Sequence, residues 1–129
     1  MNGNQDDVAA ALKVASDAAF ATEQAFIANG DQANAVIADD VSQELLQASG
    51  AANATAVLKK LSDTAQHEQV VKTLTTKLNA AAQGITADEK TIHTWLSIAS
   101  NALQLVSKVT AGNIPGAIGN ATAIVHLLP

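Results

Sequence analysis

No proline occurs between Met1 and Ile114, and alanine fills 28 of the 129 positions. Proline is the residue that a helix interior cannot accept, because it lacks the N–H and its ring strikes the preceding turn. Alanine is the best helix former, and that bias becomes informative when summed over a long segment. The two features together predict an all-α chain. With two Phe, one Trp and no Tyr, its core must be built from Leu, Val, Ile and Ala, with backbones drawn close wherever alanines meet. A chain of this length buries such a core without disulfides or metal. The expectation is a compact antiparallel helical bundle of about five helices, a single domain over residues 1–129 with a polar leader at 1–5.

Local signals divide the chain. Asp6 or Asp7 suits an N-cap, after which Val8, Leu12, Ala15, Ala19, Thr22 and Phe26 recur at helical spacing. Phe20 and Ile27 are expected to widen that stripe, and Asn29-Gly30 to end it. Asp31 caps a second helix at once, with Ile37, Val41, Leu45 and Ala48 inward, Asp39, Asp40 and Glu44 outward, and Ser49-Gly50 as its end. From Asn53 to Gln83 the pattern allows one long helix or two in line. Val57, Leu58 and Leu61 anchor the first half and Val71, Leu74, Leu78 and Ala81 the second, with a polar waist at 62–69. Thr86-Ala-Asp-Glu89 reads as a capping box. The helix behind it carries two apolar seams, Ile92, Leu96, Ala99, Leu103, Val106 and Trp95, Ile98, Ala102, Leu105, Val109, which mark it as the central helix. A turn at 111–116 leads to a last helix with Ile118, Ala121, Val125 and Leu128 inward.

Charge and missing residue types exclude several functions. The net charge is −5, with −7 in residues 1–50 and +2 in the rest. All seven basic residues are lysine. Without arginine for bidentate phosphate and base contacts, and with almost no stacking aromatics, nucleic acid is not a partner. No cysteine is present, so thiol chemistry is excluded. The polar N-terminus has no basic-then-apolar signal pattern; a polar leader before a helix fits a mature exported protein, so a secreted or periplasmic location is the expectation, with the cytoplasm as the alternative.

Catalytic and metal signatures fail on spacing. Asp63–His67 and Glu89–His93 are i,i+4 pairs, whereas the bundle carboxylate–histidine motif needs a spacing of three. If the third and fourth helices pair about Gly84-Ile85, the two histidines are also offset by about nine residues, or ~13 Å at 1.5 Å per residue. His67-Glu68 begins like the zinc-protease motif, but Val71 stands where its second histidine belongs. No serine lies in a nucleophile elbow, and Gly112 to Gly119 lacks the lysine and hydroxyl of a phosphate loop. Asn53-Ala-Thr55 and Asn120-Ala-Thr122 match the glycosylation acceptor pattern. No catalytic residue, cofactor or metal is therefore predicted. As a membrane hairpin, residues 92–111 and 114–128 are interrupted by Ser97, Ser100, Asn101, Gln104, Ser107 and Lys108, so membrane contact is disfavoured.

The expected function is a non-enzymatic binding module for an apolar small molecule or a partner helix. Its candidate contact residues are Ala15, Ala19, Trp95, Ala99 and Ala102, small side chains that either close-pack or leave a cavity beside the sole tryptophan. The alternative is a structural or self-assembling protein in which a long middle helix extends past its neighbours as a homo-oligomer, and then a membrane-active helical protein.

Overall fold

The computed structural model describes residues 4–55, 64–82, 84–85 and 87–128. Among the described residues five helices follow one another: α1 Asn4–Ala28, α2 Gln32–Thr55, α3 Ala65–Ala82, α4 Glu89–Thr110 and α5 Ile114–Leu127. The described residues contain no strand, and the expected all-α bundle is what the chain forms.

The helix ends are set by local chemistry. Gly30 and Gly112 take φ of +78° and +83°, the left-handed conformation that glycine adopts without penalty. The next residues close the motif: Asp31 N–H donates to the Phe26 carbonyl and Asn113 N–H to that of Lys108, each at 2.8 Å, which satisfies carbonyls left over at the helix ends. Asp31 then starts α2, its Oδ1 accepting from Asn34 N–H at 3.2 Å.

Three boundaries differ from the sequence reading. α4 starts at Glu89 with Asp88 as N-cap, its Oδ2 accepting from Thr91 N–H at 3.1 Å. Glu89 is thus the first helical residue and cannot close a box from the third; Thr86 lies outside the described residues. A carboxylate cap outranks threonine and adds a favourable charge at the helix dipole. α2 does not end at Ser49-Gly50 but runs on to Thr55, because buried Ser49 and Ala52 keep its inner face packed. Within the segment 53–83, Asn53 belongs to α2 and Thr64 is a bend outside any helix, while Val57, Leu58, Leu61, Ser62 and Asp63 lie outside the described residues. The polar residues Gln66 to Gln69 form the first turns of α3, where Thr64 Oγ1 accepts from His67 N–H at 3.1 Å. α3 has 18 residues, fewer than α1 or α2.

Among the described residues, α1 packs on α2, α2 on α4, α4 on α5, α5 on α3, and α3 on α1, which closes a ring. No helix is its hub, so the two apolar seams of α4 do not make it central; they face α2 and α5. Consecutive helices alternate in direction. The ring order nevertheless brings parallel helices side by side, as where the C-terminal parts of α1 and α3 line one groove. All five helices meet at the axis, where Leu12, Ala52, Leu74, Leu78, Leu105 and Ile124 enclose a void of about 10 Å³.

Burial follows the expected α1 stripe, with Val8, Leu12, Ala15, Ala19, Thr22 and Phe26 all buried. Phe20 and Ile27 do not join it; they are 54% and 44% exposed. The stripe widens on its other flank instead, toward Ala11, and at the α1–α2 seam through Ala9 and Ser16. There Ser16 Oγ donates to the Ser42 carbonyl at 2.7 Å, Ser42 Oγ to the Ser16 carbonyl at 2.9 Å, and Ser49 Oγ to the Ala9 carbonyl at 2.6 Å. Ile37 and Ala81 are only half-buried, and Ala35, Ala38 and Ala82 take the inner positions. α5 is also rotated from its expected stripe: Ala117, Asn120, Ala121 and Ile124 are buried, while Ile118 and Val125 are half-buried.

Two substitutions test this account by urea denaturation. Asp88→Ala removes the α4 cap and is expected to cost roughly 0.5–2 kcal/mol; an unchanged midpoint and slope would place the helix start elsewhere. Ser49→Ala removes one interhelical hydrogen bond and is expected to cost about 0.5–1.5 kcal/mol, whereas the same change at exposed Ser107 should leave the midpoint in place.

Candidate functional site

The ring order separates α3 from α4 although they are consecutive, and a groove of about 500 Å³ opens between them. Thr76, Lys77, Ala80, Ala81 and Gly84 form one wall, Lys90, Thr91, Thr94, Trp95 and Ile98 the other, and Leu127 of α5 lines it as well. The volume falls in the range of small-molecule sites, which are typically apolar with a few polar groups. Trp95 is 4% exposed and Ile98 fully buried, so they form the floor. Ala80 and Lys90 are exposed and Lys77 half-buried, which places them toward the mouth.

Of the five candidate contact residues, Trp95 lines this groove. Ala102 lines the axial void, and Ala15, Ala19 and Ala99 have no exposed surface. The alanines close-pack: about 10 Å³ at the axis is at the lower limit for a single water and far below a ligand. The groove itself was not visible in the sequence, because the expected pairing of α3 with α4 would have filled it.

A shallower concavity of about 590 Å³ at the start of α4 is lined by Asp88, Glu89, Lys90, His93 and Thr94, with no apolar floor. A groove of about 430 Å³ between α1 and the α3–α4 connection is lined by Val14, Ala18, Ala21, Thr22, Ala25, Ala82, Ile85 and Ala87, without a charged group. On the α4–α5 seam, buried Asn120 donates through Nδ2 to Asn101 Oδ1 at 2.9 Å and Gln104 Oε1 at 3.3 Å, while its own Oδ1 is buried without a partner. Asn120 is 7% exposed, so its acceptor-like pattern is enclosed by the fold.

Among the described residues, no group of three His, Cys, Asp or Glu side chains could hold a metal ion. His93 and His126 are exposed and His67 half-buried; Asp63 lies outside the described residues. No described helix is long and apolar enough to cross a membrane.

The acidic half of the chain carries its charge in strained proximity. Burial, and then Asp40 nearby, push the Glu44 carboxyl above the ordinary range; burial and Asp39 do the same to Glu23. Glu44 and Asp39, expected outside, are half-buried. Asp31 is shifted the other way, because Asn34 donates to it from both side chain and backbone.

Comparison with known proteins gives no match: no protein-family model, no curated protein and no solved structure is significantly similar to the chain.

A pH dependence follows. A carboxyl whose pKa is raised by folding favours the native state below its unfolded value, about 4.3 for Glu, and that advantage is lost as pH rises through the folded value. Glu44→Gln is therefore expected to melt higher than the parent at pH 7, the gain shrinking as the pH approaches 4. The cap at Asp31 works oppositely, losing its contribution as pH falls below the ordinary Asp range. A Glu44→Gln difference in melting temperature independent of pH would show that repulsion and burial of the charge are not its cause.

Proposed function

We propose that this chain is a non-enzymatic binding module that holds an apolar small molecule in the groove between α3 and α4. The supporting observation is the groove's floor: the sole tryptophan and Ile98 lie at the base of a cleft of about 500 Å³ in a bundle whose axis is otherwise filled. Burying apolar ligand surface against such a floor contributes roughly 25 cal/mol per Å², enough for micromolar binding only when most of the ligand is covered. The alanine-rich interior supplies the frame rather than the site. An exported location fits a carrier role of this kind.

Self-assembly is the second reading. Phe20, Ile27, Val36 and Leu46 are 44–60% exposed, and their positions place them on the outer side of the α1–α2 hairpin. The long middle helix that first suggested this reading does not appear among the described residues, so the exposed side chains carry it alone.

Trp95 reports on the first reading directly. Titration with dodecanol below its solubility limit should shift Trp95 emission saturably and raise the melting temperature, by about 2.7 kcal/mol of added stability at a hundredfold excess over Kd. Ala80→Phe, which fills the mouth of the groove, should abolish the response without unfolding the protein. A response unchanged in Ala80→Phe would move the site elsewhere; no response, together with a concentration-dependent oligomer lost in Phe20→Ser/Leu46→Ser, would favour self-assembly.

A further inference from the structure

We propose that the α3–α4 groove selects single-chain amphiphiles with an anionic head group, the head held between Lys77 and Lys90. The inference rests on the groove being a ligand site and adds the chemical class of its ligand.

The groove walls carry charge of one sign. Lys77 comes from α3 and Lys90 from α4, and no carboxylate is among the lining residues. Among the described residues Lys13 pairs with Asp17 at 3.1 Å and Lys72 with Glu68 at 3.7 Å, whereas Lys77 and Lys90 make no ion pair. Asp88 accepts through Oδ2 from both Thr91 N–H and Thr91 Oγ1, and with Glu89 it lines a separate concavity that Lys90 borders too. Glu89 is adjacent to Lys90 in sequence and so projects about 100° away from it on the helix. Two of the hydroxyl groups are committed as well, Thr91 to Asp88 and Thr94 to the Lys90 carbonyl at 3.0 Å, and Thr76 on the α3 wall is exposed. The two ammonium groups are therefore the charged functions that line the site.

That arrangement runs against the composition. The protein is acidic overall, at −5, and repels anions at long range. Two unpaired lysines on opposite walls of one cleft repel one another, and an anion between them removes that cost. Lysine also presents an apolar stem below its charge, so half-buried Lys77 extends the apolar wall while its head stays at the mouth. Trp95, Ile98, Ala81 and Leu127 then receive a hydrocarbon tail, and the ammonium groups receive a carboxylate, sulfate or phosphate monoester. Neither wall offers a carboxylate to a cationic head, and a neutral head gains nothing from the lysines.

The test compares heads on one tail. Dodecanoate and dodecyl sulfate, kept below their micelle concentrations, should bind roughly tenfold tighter than dodecanol by Trp95 emission, the sum expected of two partly exposed ion pairs. Added sodium chloride should erode that margin. Lys77→Gln/Lys90→Gln, with circular dichroism and melting temperature checked, should bring the anions down to the dodecanol affinity and leave dodecanol unchanged. Equal affinities for anion and alcohol in the parent would overturn the head-group assignment while leaving the groove as an apolar site. Absence of saturable binding by all three would overturn the groove reading, and this one with it. A response confined to vesicles containing phosphatidylglycerol would replace a monomeric amphiphile with a membrane surface and so overturn the proposal.

Discussion

A serine side chain reaches one atom beyond Cβ, so Ser16 and Ser42 can each donate to the other's backbone carbonyl only where two helices nearly touch. Alanine, serine and glycine are what permit such an approach; any longer side chain at Ala9, Ser16, Ser42 or Ser49 would hold the backbones apart. The α1–α2 seam fixes much else. With the seam occupied by small residues, the bulky side chains that flank it must turn one way or the other. Leu12, Phe26, Val41 and Leu45 turn inward to the axis. Phe20 and Leu46 fall on the far side and stay in solvent. The same closeness brings Asp39 of α2 near Glu23 of α1, where burial and then that charge raise the Glu23 carboxyl.

Ring order is the second constraint, and the groove is its product. Five helices that pack only on their chain neighbours would form an up-and-down ring, and this chain departs from that order. Among the described residues the α2–α3 and α3–α4 contacts are both given up, and α5 packs on α3 and α4 instead. The α4–α5 seam accepts a cost for this: Asn120 is buried with one amide oxygen unpartnered. A half-satisfied amide is a poor source of stability, but its bonds to Asn101 and Gln104 are lost if α5 rotates to bury Ile118 and Val125, as its hydropathy alone would suggest. Asn120 thus sets the rotation of α5, in the way a buried polar residue sets register in a coiled coil, and so keeps Leu127 in the lining of the groove.

The parts of this fold that depend on local chemistry were legible in the sequence. The left-handed Gly30 after α1, the turn after α4, the Asp31 cap and the inner stripes of α1 and α4 follow from spacing and residue type alone. What was misread depended on a partner not yet known. Phe20 looked like core because periodicity cannot say which flank of a stripe faces a neighbouring helix. Ser49-Gly50 looked like an ending because the burial of Ser49 against Ala9 is a tertiary fact. Thr86 and Glu89 looked like a box because the capping pattern is satisfied twice in four residues, and Asp88, with its charge, prevails. The candidate site was legible only through Trp95. The four candidate alanines, Ala15, Ala19, Ala99 and Ala102, are small because helices meet there, and that smallness leaves no room for a ligand.

The last point bears on what an alanine-rich bundle can bind at all. Small core residues shorten the distance between axes, so a cavity does not form where the alanines are; space appears where helices fail to pair. In this chain that place is bordered by consecutive helices, and its walls include residues on either side of one connection, Lys77 to Gly84 and Lys90 to Ile98. A ligand there would bridge α3 and α4, supplying a contact that the ring leaves out. Binding at such a place is coupled to the packing of α3, whose apolar anchors in the described core, Val71, Leu74, Leu78 and Ala82, are fewer than the eight residues buried on α4. The less strongly held wall gains most from being bridged, which makes occupancy of the groove a stabilising event for the bundle as a whole.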